Sequence, residues 1–280
     1  MSTDKLQLQR LELKYHVNED TALAIREFVR CYLAVDEFGE GQPNLSYPVH
    51  SLYLDSDDLR IYWETVGGNM NRYKLRIRYY DDREDSPVFF EIKRRQNMAI
   101  LKQRGAVHRR AVDLILAGQF PLPEDMLSKD PRQYAAIQRF VELMLANNAR
   151  PKAHIAYDRE AWVSTTDNSV RVTMDRNVQG APEPTSRLGV DLHNPARPFG
   201  KIVILELKFT GRYPNWFSDL VRVFNLKRDH AAKYVDSVML KGDEWFGPEL
   251  FRLEEFARRG RIVKLRNRHH GAANSPDAVT

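Results

Sequence analysis

The sequence predicts an α+β protein: an eight-stranded antiparallel β-barrel with helices packed outside. Three observations predict it. Segments between Leu6 and Thr210 alternate charged and apolar residues with the period of a strand. Apolar stripes of helical period fall between them. The parity that puts bases on one face recurs on strand after strand. One wet sheet face explains a single row of bases, but not its recurrence; a closed barrel lines its bore with them and turns the apolar faces outward under helices.

Taken in order, Leu6 to Tyr15 reads as a strand, with Arg10, Glu12 and Lys14 on one face and Leu11, Leu13 and Tyr15 on the other. Asn18 is placed to cap a helix with Glu19 and Asp20 in its first turn and Ile25, Phe28, Val29 and Tyr32 on one side. Residues 38–47 form a Gly/Pro loop, whose Gly39-Glu-Gly41 lacks the flanking strand and third glycine of a dinucleotide fingerprint. Val49 to Asp55 is a strand, and Ser56-Asp57-Asp58 opens a helix through Val66. Arg72 to Arg95 is a hairpin about the turn cluster Asp81 to Pro87. Arg72, Lys74, Arg76 and Arg78 share one face of its first strand; Phe89, Glu91, Lys93 and Arg95 share one face of its second.

Ile100 to Arg110 alternates again, with Lys102, Arg104, His108 and Arg110 opposite Leu101 and Val107. Ala111 to Ala146 is mainly helical, with Tyr134, Ile137, Val141, Met144 and Leu145 as its apolar stripe. Lys152 to Trp162 is a strand carrying Tyr157 and Arg159 on one face, and Val170 to Asn177 another carrying Arg171, Thr173 and Asp175. Gln179 to Phe199 reads as an exposed excursion. Ile202 to Thr210 is the last strand, with Glu206, Lys208 and Thr210 on one face. Trp216 to Phe224 and Asp229 to Leu240 read as helices. A folded domain over 1–245 is followed by a basic extension over 246–280, expected to be partly disordered.

The chain has 280 residues, 42% hydrophobic and 29% charged, as expected of a globular protein. No apolar run approaches a membrane span. Cys31 is the only cysteine, so no intrachain disulfide is possible and a reducing, cytoplasmic compartment is expected. The net charge of +5 resides in residues 251–270, where seven Lys/Arg meet two acids; the remaining 36 bases and 36 acids cancel. A neutral body without an exposed basic-aromatic platform argues against nucleic acid as partner. P-loop, two-histidine metal and serine-elbow patterns are missing, and the eight histidines are scattered.

The proposed bore collects Arg10, Lys14, Lys74, Arg76, Arg78, Lys93, Lys102, Arg104, Arg159, Arg171 and Lys208 against Glu12, Glu91, Asp175 and Glu206. Two like charges 6 Å apart repel by roughly 3 kcal/mol at an effective dielectric of 20. Such a surplus asks for a polyanion, and Arg and Lys on rigid strands suit phosphate oxygens. A divalent cation among phosphates needs only one or two carboxylates, which Glu206 with Glu12 or Glu91 would supply. The plain alternative for Glu206 is an ion pair with Lys208, two residues on.

These residues carry a family resemblance. Arg10-Leu-Glu-Leu-Lys14-Tyr15, Ser51-Leu-Tyr-Leu-Asp55, Tyr73-Lys-Leu-Arg-Ile-Arg78, Glu91-Ile-Lys93, Tyr157-Asp-Arg159, Arg171, Glu206-Leu-Lys208 and Lys233-Tyr234 stand in the order and spacing of the VTC domain. That domain is the polyphosphate polymerase branch of the CYTH-like triphosphate tunnel metalloenzymes, and the resemblance spans roughly Leu8 to Leu240. It implies an eight-stranded triphosphate tunnel, Mn²⁺ or Mg²⁺, and transfer of the terminal phosphate of a nucleoside triphosphate such as ATP to a growing polyphosphate chain. By matching motif, Lys14, Arg76, Arg78, Lys93, Arg159, Arg171, Lys208 and Lys233 would contact phosphates and Glu206 would hold the metal. Arg10, Lys74, Tyr157 and Tyr234 are further candidate substrate contacts, as is one or other of Lys102 and Arg104. The wider superfamily opens with Glu-x-Glu-x-Lys; Arg10 replaces the first Glu, as in the polymerase branch, which favours polymerase over triphosphatase, with an inorganic tri- or polyphosphatase of the same fold as the alternative. A non-catalytic polyphosphate-binding module would need no carboxylate at Glu206. No phosphate- or inositol-phosphate-binding helical domain is expected before the core and no membrane segment after it, which leaves room for a membrane-anchored partner.

Overall fold

The computed structural model describes residues 10–96, 99–166 and 169–247. The expected strand residues before Arg10 and the basic extension from residue 248 lie outside them. In chain order the elements are β1 (Arg10–Val17), α1 (Glu19–Val29), β2 (Ala34–Val35), β3 (Ser46–Asp55), α2 (Arg60–Val66), β4 (Asn71–Tyr79), β5 (Val88–Gln96), β6 (Ala99–Val107), α3 (Val112–Leu116), α4 (Pro131–Ala146), β7 (Arg150–Val163), β8 (Val170–Pro182), β9 (Val203–Thr210), α5 (Asn215–Val223) and α6 (Lys233–Lys241).

The strands form one antiparallel, nine-stranded sheet in the order β2-β7-β3-β4-β5-β6-β1-β9-β8, with a further pairing of β7 to β8. Two features correct the expected eight-stranded barrel. The additional strand is β2, which continues the line of β3 along β7: Ala34 faces Val163, beyond the pairing of Ser46 with Glu160. Two residues are too few for alternation to be read. The sheet is also not closed into a regular barrel. Among the described residues β6 and β1 share one register pair, Arg10 with Ile100. From Arg10 onward β1 runs past the start of β6, and it follows β9 over its whole length, from Arg10–Thr210 to Val17–Val203.

The apolar faces carry the helices. Leu75, Ile77, Phe90 and Val107 bury against Ile137, Phe140, Val141 and Met144 of α4. Asp130 caps α4 by accepting the Arg132 N–H, and Pro131 fills its first turn, where a missing donor costs nothing. A side chain at Gly105 would collide with Ile137 and the Gln133 carbonyl, so glycine there sets how closely α4 lies on β6. On the other side, Ala22, Ile25 and Val29 of α1 and Phe217 and Leu220 of α5 cover Leu205, Leu207, Val172 and Met174. Asn18 caps α1 as expected, accepting the Thr21 N–H at 2.8 Å.

Several boundaries differ from the expectation. The strand ends at Val107, so His108 and Arg110 leave the sheet, and Arg110 pairs instead with Asp125 at 3.2 Å. The long helical stretch splits into α3 and α4, and Leu145 points outward. The excursion begins late: β8 continues to Pro182 against β7, and Leu188, Ala196 and Phe199 are buried. The last helix starts at Lys233, because the preceding chain bonds to β1, with Asp229 N–H donating to the Lys14 carbonyl.

Candidate functional site

Cross-strand partners share a sheet face, so register alone sorts the charged residues. Arg76 faces Glu91, which faces Arg104; Lys74 faces Lys93, which faces Lys102. Glu12 faces Lys208, which faces Arg171, and Lys14 faces Glu206, which faces Thr173. Contacts between strands that are not neighbours show that these faces converge. Lys93 of β5 reaches Glu12 of β1 at 3.0 Å. Arg78 of β4 donates to the Tyr157 hydroxyl of β7 at 2.9 Å. Arg171 of β8 donates to the Tyr47 hydroxyl of β3 at 3.3 Å.

Two carboxylates organise this interior. Glu206 lies 2.6 Å from Lys208, 3.3 Å from Lys14, 3.4 Å from Lys233 and 3.6 Å from Arg159, and accepts from the Thr173 hydroxyl. The expected Glu206–Lys208 pair is thus present, but as one of four. Glu12 adjoins this group through Lys14, at 3.3 Å, and Asp175 through Arg159 at 2.7 Å and Lys233 at 2.6 Å. Glu91, with no exposure, lies 2.6 Å from Arg76 and from Lys102, 3.5 Å from Arg104 and 3.9 Å from Arg78.

Burial alone would neutralise all these groups. For Glu206, Glu91 and Glu12 the surrounding cations outweigh burial and hold the carboxyls well below the usual carboxylate range. Burial wins at some lysines: Lys208 and Lys102 are pushed down to about 7 despite Glu206 and Glu91, and Lys74 to about 8 despite Tyr53. Lys233 moves the other way, because Asp175 and Glu206 overcome its burial.

Of the expected site residues, the structure brings together Lys14, Lys74, Arg76, Arg78, Lys93, Lys102, Arg104, Arg159, Lys208 and Lys233 with Glu12, Glu91 and Glu206. Lys102 and Arg104 both lie against Glu91. Arg171 stands to one side, held by Asp36 at 2.8 Å. Tyr157 lies under Arg159 and Lys233, whose charges sit 5.1 and 4.8 Å from its ring centre. Tyr234 is placed behind the site: its hydroxyl donates to the buried Asp55 at 2.8 Å, and its ring stacks on Tyr53 at 5.0 Å. Asp55 also accepts the N–H groups of Ser56, Ile61 and Tyr62, so it ties the start of α2 to α6 and fixes Lys233, the neighbour of Tyr234. Of Arg10, the backbone pairing is described and the side chain is not.

Sequence reasoning missed Tyr53. Its hydroxyl accepts from Arg76 at 3.1 Å. Burial would raise this phenol, but Arg76, Lys74 and Arg78 bring it down to about 7. The signal was its parity with Ser51 and with Arg76 across the β3–β4 pair.

Glu12 and Glu206 both reach the Lys14 ammonium at 3.3 Å, so they are the two of the three expected carboxylates close enough together that they would share a divalent cation. Among the described residues no group of three or more His, Cys, Asp or Glu could hold a metal unaided. Glu91 shares no cation with either and is enclosed by its own four.

A family model described as the VTC domain matches residues 9–240. Vacuolar transporter chaperone complex subunit 4 of Schizosaccharomyces pombe is 22% identical over 250 residues, covering 76% of this chain and 34% of that protein. The chain therefore spans about a third of that relative's length. Two solved structures are similar at low identity. The PH1819 protein of Pyrococcus horikoshii OT3 aligns with a TM-score of 0.42 at 12% identity, over 83% of this chain and 99% of that one. The Mimivirus capping enzyme triphosphatase aligns with a TM-score of 0.32 at 11% identity, over 78% and 89%. Among the described residues no helix is long and apolar enough to cross a membrane.

Proposed function

Because the chain belongs to the VTC domain family, we propose that it is a polyphosphate polymerase: it transfers the terminal phosphate of a nucleoside triphosphate, ATP being the expected donor, to a growing polyphosphate chain. The observation that supports this most is the convergence of Lys and Arg from β1, β4, β5, β6, β7, β9 and α6 on one interior where cations outnumber carboxylates. A linear polyanion is the ligand such a surface is built to neutralise.

Phosphoryl transfer asks a protein for position and charge more than for a nucleophile. The planar guanidinium groups of Arg76, Arg78 and Arg159 are suited to pairs of non-bridging oxygens, and the lysines to single ones. The acceptor is a terminal phosphate oxygen, already anionic, so no residue has to remove a proton from it. Glu206 with Glu12 would hold Mn²⁺ or Mg²⁺, which when bound neutralises phosphate oxygens that the lysines do not reach. Asp175 keeps Lys233 and Arg159 charged and aimed inward. The relative's place in a chaperone complex makes a partner subunit, membrane-anchored or not, part of the proposal, as is a cytoplasmic setting.

The test is to incubate purified protein with ATP and Mn²⁺ and resolve the products on a gel. A ladder of lengthening polyphosphate is expected. Free phosphate without chain growth would reassign the site to a tri- or polyphosphatase, and binding without turnover to a non-catalytic module.

A further inference from the structure

Beside the cations lies an aromatic group that phosphate chemistry does not use. Tyr47 projects from the start of β3 and is nearly buried. Around it, Phe38 lies at 5.8 Å and Tyr80 at 6.2 Å between ring centres, and Phe89 packs edge-on against Tyr80 at 6.0 Å. Phe38 and Tyr80 are parallel within 4°. Exposure grades outward: Tyr47 shows 9% of its surface, and Phe38 61%. A large ring left in water on a short turn contributes little to folding, since its apolar area stays wet.

The aromatic group is wired to the phosphate-facing residues. The Asp36 carboxylate accepts the Phe38 N–H at 3.1 Å and pairs with Arg171 at 2.8 Å. Arg171 in turn donates to the Tyr47 hydroxyl. Tyr47 is also the register partner of Arg159. On the far side the Arg104 guanidinium lies 3.5 Å over the Phe89 ring. A flat apolar platform and a set of phosphate-binding cations are thus adjacent and mechanically joined.

We propose that Phe38, with Tyr80 beneath it, is the stacking platform for the nucleobase of the nucleoside triphosphate. The inference rests on the nucleotide-donor reading above and adds where the base goes. With the base on Phe38, the phosphates lead inward past Arg171 and Arg159. Both Asp36 carboxylate oxygens are engaged, by the Phe38 N–H and by Arg171, and the Phe38 and Tyr80 rings offer area, so recognition is by stacking rather than by hydrogen bonds to the base edge. Purines therefore bind more tightly than pyrimidines, and adenine and guanine about alike.

The test compares two ligands that share phosphates and differ in the base. A non-hydrolysable ATP analogue and inorganic tripolyphosphate are titrated by calorimetry into the wild type, Phe38→Ala and Phe38→Trp. Phe38→Ala is expected to weaken the nucleotide about tenfold, the scale of one base–aromatic stack, and to leave tripolyphosphate unchanged. Phe38→Trp is expected to restore the nucleotide. Phe38 is exposed, so neither change threatens the fold. If the wild type binds tripolyphosphate and Phe38→Ala shifts both ligands equally or neither, the stacking inference is wrong while the phosphate site stands. Failure of the wild type to bind either ligand would remove the nucleotide-donor reading, and this inference with it.

Discussion

Glu206 and Glu91 each sit buried among four cations, at similar distances, yet their surroundings differ in one respect. Three of the four cations around Glu206 are shared with other acids: Lys14 with Glu12, and Lys233 and Arg159 with Asp175. Among the described residues Lys102 and Arg104 make their ion pairs with Glu91 and with no second carboxylate. Near Glu206, charge is distributed over three acids, so that on the proposed function Glu206 would turn to a metal with Lys14, Lys233 and Arg159 still paired and Lys208 alone released. Near Glu91, one acid balances four cations, and on the proposed function its role would be to hold Arg76 and Arg78 in place. On the proposed function, the same motif, a carboxylate in a ring of bases, would serve chemistry in one half and architecture in the other.

The largest expected effect breaks the chemical half. Glu206→Gln removes a charge that a hard cation needs, and turnover with ATP and Mn²⁺ is expected to fall by roughly a hundredfold or more. Its stability loss stays near 1–2 kcal/mol, about that of a charge-assisted hydrogen bond, because Glu12 and Asp175 remain. Glu91→Gln is expected to behave in the opposite way. Stranding buried cations costs about 3–5 kcal/mol, a fall in Tm of roughly 10 °C for a domain of this size, read by thermal unfolding. Equal losses of stability in the two variants would erase the distinction.

The pH dependence of binding tests the electrostatics of both halves. Burial brings Lys102 and Lys208 down to about 7 and Lys74 to about 8, and the neighbouring cations bring Tyr53 down to about 7. An arriving polyanion raises all of these pKa values, so binding takes up protons. Affinity for tripolyphosphate is therefore expected to fall as pH rises from 6 to 9, by up to about tenfold per unit for each coupled proton. Calorimetry in buffers of different ionisation enthalpy counts the protons, and Lys102→Arg, which stays charged, should flatten the profile. Release of protons on binding would contradict the electrostatic account.

The smallest effect lies behind the site. Tyr234→Phe deletes the hydrogen bond to Asp55 and should cost about 1 kcal/mol, with a modest rise in KM as Lys233 loses its support. No change in either quantity would separate Asp55 from the positioning of Lys233.

Strand parity is local, so the sequence alone assigns Lys14, Arg76, Arg78, Lys93 and Lys208 to one kind of face. What parity cannot show is which acids share which cations. That depends on β5 meeting β1 and on α6 meeting β8, contacts between residues far apart in the chain. Lys233, at a helix start, has no strand parity and is reached through family resemblance alone. The continuation of β8 is hidden because Gln179-Gly-Ala-Pro182 has loop composition. In the sheet, Pro182 ends the strand, and Gly180 is needed because any side chain there would strike Ser237 of α6. Tyr53 lies in plain parity with Arg76, but an isolated tyrosine on a strand reads as core until three cations are seen around its hydroxyl.

The division of labour between the two carboxylates is tested most directly by titrating tripolyphosphate into Glu206→Gln and Glu91→Gln, each with and without Mn²⁺. In the wild type and in Glu91→Gln, Mn²⁺ should tighten binding. In Glu206→Gln the metal should have no effect, and metal-free tripolyphosphate should bind as well as or better than in the wild type, one negative charge having gone. Retention of the Mn²⁺ effect in Glu206→Gln together with its loss in Glu91→Gln would contradict this account and move the metal to the other half of the interior.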